Sequence, residues 1–93
     1  MNNLVKLLSA PANYAVVQLP DRRYPGVVFQ GDSLHILSKR MTKLRTILDN
    51  VADEDTMVEL TDICDVLSSV VQLYENVCRQ HNIELPYVSD KKK

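Results

Sequence analysis

The chain has no tryptophan, one phenylalanine and four tyrosines in 93 residues. Stacking platforms are therefore few, which counts against a binder of single-stranded nucleic acid. Its two glycines, Gly26 and Gly31, bracket a short apolar stretch and cannot supply a phosphate-cradling loop. No apolar run approaches the roughly 18 residues of a membrane-spanning helix. The opening residues, Met1-Asn2-Asn3-Leu4-Val5-Lys6, lack a basic segment followed by an apolar one, so no secretory signal is expected. The two cysteines, Cys64 and Cys78, fall on one apolar helical pattern. Fourteen positions of helix place them about 21 Å apart, too far for a mutual disulfide. They read as buried free thiols in a reducing cytoplasm.

What is present is a split of charge. Residues 1–45 carry seven Lys and Arg against Asp21 and Asp32, a balance of +5. Residues 46–93 carry ten acids against Arg79 and Lys91 to Lys93, a balance of −6. The formal total of −1 hides this division. From Thr46 to Cys78 there are eight acids and no base.

The apolar spacing organises these charges. Tyr14 to Leu19 is rich in β-formers and ends at Pro20. Gly26 to Gln30 is a second strand, and Leu4 to Leu8 a candidate third. Asp32 or Ser33 is placed to accept a hydrogen bond from the first turn of a helix. That helix follows Leu34, Leu37, Met41, Leu44, Leu48 and Val51 to about Asn50. A second helix follows Leu60, Cys64, Leu67, Val71, Tyr74 and Cys78. Thr56 and Glu59 have the capping-box spacing, and Asp53 is a cap one turn earlier. A second row, Ile63, Val66, Val70, Leu73 and Val77, widens the apolar stripe to about half the circumference. So wide a stripe predicts contact with the first helix and with either the sheet or a second chain.

The expected architecture is α+β: an N-terminal antiparallel β-hairpin or three-stranded sheet, followed by two long antiparallel amphipathic helices packed on it. One domain is expected over residues 1–88, with a disordered basic tail over 89–93.

Chemistry finds little support. Cys78 and His81 have a ligand-like spacing, but no second pair completes a zinc site, so no metal and no cofactor is expected. Ser9, Ser33 and Ser38 lack a nucleophile setting. The chain is read as a non-enzyme. Arg22, Arg23, Lys39, Arg40, Lys43 and Arg45 would attract duplex DNA if they formed one surface. The sequence pI near 6.0 opposes that reading. Loose pairing of these bases with the neighbouring acids is the simpler account, at about 0–1 kcal/mol per pair.

The acids carry the sharper expectation. On a helical wheel Asp55, Glu59, Asp62 and Asp65 lie opposite the main apolar row, with Asp53 and Glu54 at the helix start. Such a ridge is either a plain solvated face or a steering surface for a basic protein.

Residues 24–34 read Tyr-Pro-Gly-Val-Val-Phe-Gln-Gly-Asp-Ser-Leu, preceded by Arg22-Arg23. This stretch resembles a family of small bacterial domains of unknown function, marked by arginine, an aromatic, P-G-V-V, an apolar residue and Q-G-D-S-L. The resemblance covers about 25 residues; the helical remainder agrees in pattern only. It implies stand-alone cytoplasmic proteins, some of them immunity proteins of bacterial competition systems. As a folding element the motif turns the chain into a strand at Pro25-Gly26 and starts a helix after Gly31. Arg22, Arg23 and Tyr24 are not explained that way and form a second candidate contact.

The resulting expectation is a cytoplasmic immunity protein or antitoxin. Its partner would be a cognate toxin with a basic surface, such as a nuclease. Asp53, Glu54, Asp55, Glu59, Asp62 and Asp65 would make the main contact and Arg22, Arg23 and Tyr24 a lesser one. The alternatives are a homodimeric scaffold and a small regulatory nucleic-acid-associated protein.

Overall fold

Three short strands lead into two helices, an α+β arrangement seen in a computed structural model that describes residues 4–10 and 12–89. Strands β1 (Lys6–Leu7), β2 (Tyr14–Gln18) and β3 (Gly26–Phe29) form one antiparallel sheet in the order β1-β2-β3. The Leu4–Leu8 stretch thus does supply a third strand, with Lys6 and Leu7 in register with β2 and Leu8 N donating to Val16 O at 2.8 Å. Val17 faces Leu7 on one side and Gly26 on the other. Alternation along β2 buries Ala15 and Val17 and turns Tyr14 and Val16 to the opposite, open face. On that face the Tyr14 and Phe29 rings meet edge to face at 4.9 Å.

The β2–β3 turn passes through Asp21, which adopts a left-handed φ of 63°. The Gln18 side-chain amide spans the turn, donating to the Arg22 carbonyl at 2.7 Å.

Gln30 is the hinge between sheet and helix. Its N–H donates to Asn13 O at 3.2 Å and its carbonyl accepts from Leu34 N at 2.9 Å. Helix α1 (Gly31–Leu48) is therefore capped at Gln30, two residues before Asp32 and three before Ser33, the caps expected from the sequence. Gln30 holds the cap position without a side-chain bond, while Asp32 accepts from the Ser33 N–H at 2.8 Å inside the first turn. Gly31 is not a strand terminator but a packing site. A Cβ there would run into the ring of Tyr74.

Helix α2 (Glu54–Gln80) is capped by Asp53, whose carboxylate accepts from the Thr56 N–H at 2.9 Å. The earlier of the two expected caps is the one used. At the other end Asn82 takes a φ of 58°. Ile83 N donates to Cys78 O and Asn82 N to Arg79 O, the paired bonds of a Schellman stop.

The helices pack against each other through Leu34 and Ser38 of α1 and Leu60, Cys64, Val71, Glu75 and Cys78 of α2, all buried. Close backbone approach is concentrated within the sheet and between the helices, with little between the two layers. Of the two further coverings expected for the α2 stripe, the sheet or a second chain, the sheet does not cover the second apolar row. Ile63, Val66, Val70, Leu73 and Val77 are all exposed, Val66 at 63% and Leu73 at 64%. The sheet joins the pair at the Gly31 end of α1, so its strands do not run along α2. Among the described residues no large side chain is completely buried. Of the expected tail at 89–93, residues 90–93 lie outside the described residues.

Candidate functional site

The first turns of α2 carry the acids. Asp53 ends the interhelical connection in extended backbone, and Glu54 and Asp55 occupy the first turn. Negative charge there is favoured by the unpaired N–H groups and the positive end of the helix dipole. Hydrogen bonding from the Thr56 side chain, then from its backbone N–H, holds the Asp53 carboxyl below its ordinary range.

Continuing along the helix, Asp55, Glu59, Asp62 and Asp65 are all exposed, while the intervening Leu60 and Cys64 are buried. Among the described residues none of these carboxylates makes an ion pair; the ion pair seen on α2 joins Arg79 and Glu75 at 3.8 Å. Asp62 also stands at the rim of a shallow groove lined by Leu37, Met41, Ile63, Val66 and Leu67. The ridge thus combines open negative charge with apolar surface immediately beyond it.

Arg22, Arg23 and Tyr24 lie elsewhere. They occupy the β2–β3 turn, exposed, with the Arg23 guanidinium 5.3 Å from the Tyr24 ring centroid. The acids begin beyond the far end of α1, and 18 residues of helix separate them from the sheet junction by about 27 Å. The structure does not bring the two groups together as one site. The bases of α1 do not form a single surface with the turn either. Lys39 and Lys43 line a polar cleft between the helices, whereas Arg22 and Arg23 remain at the tip of the sheet.

That cleft, about 610 Å³, holds a cluster not anticipated from the sequence. Glu75 is buried on the core side of α2. Its Oε2 accepts from the Tyr87 hydroxyl at 2.9 Å and its Oε1 from the Ser89 hydroxyl at 3.2 Å. Tyr87 in turn stacks on His35, with ring centroids 3.6 Å apart and planes 9° from parallel. Burial, and then the bond to Glu75, pushes the Tyr87 hydroxyl well above the ordinary tyrosine range. A signal for this cluster existed. Glu75 stands four residues after Val71 and three before Cys78, a charge on the core row of an otherwise apolar stripe. A buried carboxylate needs partners, and the residues after the helix provide them. Both its oxygens are engaged, so Glu75 serves as an anchor for the 85–89 segment and not as a free acid or base.

Cys64 and Cys78 are buried free thiols. Among the described residues no three His, Cys, Asp or Glu side chains converge as a metal-holding group, and no helix is long and apolar enough to cross a membrane.

Compared with known proteins, residues 1–87 match the sequence model of a family of unknown function (DUF6959). No curated protein and no solved structure matches the chain.

Proposed function

The chain belongs to DUF6959, and from that premise we propose that it is a non-catalytic immunity protein which neutralises a basic bacterial toxin through the acidic end of α2. The observation that carries this reading is the row Asp55, Glu59, Asp62 and Asp65, exposed and without ion pairs among the described residues. Carboxylates left in water keep their long-range field, which speeds encounter with a cationic partner and narrows partner choice. A nuclease active site is basic because it must hold a phosphate backbone. A helix presenting carboxylates at successive turns competes for that site. The apolar groove beside Asp62 supplies the desolvated contact that charge alone does not. Arg22, Arg23 and Tyr24, on a separate element, make a lesser contact.

The test begins with co-purification from the source cell and identification of a basic protein in the complex. Reversing Glu59, Asp62 and Asp65 to Lys leaves the helical circular dichroism intact and weakens that complex more than tenfold. Undiminished affinity removes this surface from the reading. Duplex DNA binding with a steep salt dependence would instead favour the nucleic-acid-associated alternative.

A further inference from the structure

We propose that the free edge of β3 pairs with β3 of a second copy of this chain, antiparallel about a two-fold axis at Val28. The direction of the main-chain groups carries the inference. On β2, Val16 turns its N–H and C=O toward β1: the carbonyl accepts from Leu8 N at 2.8 Å and the N–H donates to Ser9 Oγ at 2.9 Å. Main-chain groups alternate sides along a strand. Ala15 and Val17 therefore turn theirs toward β3, where they face Val28 and Gly26. The Asn13 carbonyl, which accepts from Gln30 N, keeps the same phase. On β3 the N–H and C=O groups of Val27 and Phe29 are left pointing off the free edge. Nothing among the described residues pairs with these four groups. Val27 is 65% exposed, so the edge is open to an incoming strand.

The strand is complementary to itself, which identifies the occupant. Edges are ordinarily guarded by charge, proline or shortness. At the other edge β1 is guarded, with two residues of which one is Lys6. Gly26–Phe29 carries no charge and no proline. With the axis at Val28, Val27 of each copy lies opposite the partner's Phe29, a favoured pairing of β-branched and aromatic side chains. The four free groups of one copy then meet the same four of the other, and all eight close into four hydrogen bonds with none left over. The nearest charges are Arg23 and Asp32, exposed, opposite in sign and at opposite ends of the strand. Neither forms an ion pair among the described residues. Antiparallel pairing sets the Arg23 end of each copy beside the Asp32 end of the other, so unlike charges approach across the axis. The two sheets of three strands become one continuous sheet, and the contact is isologous. The acidic ridge of α2 takes no part, so this inference stands or falls separately from the toxin reading.

Sedimentation and amide hydrogen exchange of the full chain, without any partner protein, test it. The mass is expected to rise toward twice 10.6 kDa as concentration increases. The Val27 and Phe29 amides are expected to be protected in the dimer and to lose that protection at least tenfold on dilution, while the Val28 amide, turned toward β2, stays protected. Val27→Pro removes an outward donor and spares the bonds of Gly26 and Val28 to β2. It is expected to raise the dimer dissociation constant at least tenfold, whereas Val66→Lys, on the exposed row of α2, leaves it unchanged. A 10.6 kDa monomer at every concentration overturns the inference and leaves the edge to a different protein. Rapid exchange at Val27 and Phe29 within a dimer, or an unchanged constant in Val27→Pro, overturns it as well. Should Val27→Pro fail to fold, the exchange of the parent chain decides alone.

Discussion

The Tyr87 hydroxyl donates to Glu75 Oε2 at 2.9 Å, which ties the segment beyond α2 back onto the helical pair. Removing that hydroxyl leaves a buried carboxylate with Ser89 and the more distant Arg79 as its partners among the described residues. Tyr87→Phe is expected to lower stability by about 1.5 kcal/mol, the low end for a bond to a charged group because the pair is only part-buried. The His35 stacking is retained in that variant. Urea denaturation of the two proteins side by side checks it; identical midpoints would show that the bond contributes nothing.

Alkaline pH acts on the same residue. Burial first, and the Glu75 bond second, raise Tyr87 above the 10.0 of a free tyrosine. Tyr74 is raised too, first by burial and then by Cys78. In the unfolded chain both hydroxyls ionise near pH 10, while the folded chain keeps its protons to higher pH. The stabilisation is therefore complete below about pH 10 and declines as pH rises beyond it. Urea midpoints are expected to hold level up to about pH 9.5 and fall above it, with a shallower fall in Tyr87→Phe.

Gly31 and Tyr74 are pressed together at the start of α1, where an added Cβ would overlap the ring. Helix propensity alone would make Gly31→Ala stabilising by about 1 kcal/mol. The steric term is larger, at about 1–3 kcal/mol for overpacking a closed site. Net destabilisation is expected, and Gly31→Ala combined with Tyr74→Leu should recover part of it. A Gly31→Ala protein more stable than the parent would show that the ring moves aside freely.

Cys64 and Cys78 are 5% and 6% exposed. A thiol reagent is expected to react with both only as fast as the fold opens, and immediately in urea. Fast labelling of either thiol in buffer would contradict that burial.

The motif around residues 24–34 shows how far local chemistry reaches. Turn, strand and helix start all fall within it, because each is set by a few neighbouring residues: Pro25-Gly26 for entry, Val27 to Phe29 for the strand, Asp32 for the first turn. The packing of Gly31 against Tyr74, 43 positions away, lies beyond what the motif shows. The acidic ridge was legible because charge and helical period are both written in one dimension. The Glu75 cluster was not, because its partners come from the other helix and from the segment after α2.

The α+β order, the two helical periods, Asp53 as one of two possible caps and the uninterrupted run of acids followed from the amino-acid sequence, since each rests on spacing within a single element. Which neighbour each apolar row would meet was decided only in three dimensions. The width of the α2 stripe demanded two partners, but not which ones. The packing settled that: sheet and helices approach each other little, and Ile63, Val66 and Val70 stay exposed. Burial is a property of whole elements meeting, so no pattern along α2 alone could reveal that half of its apolar surface stays open.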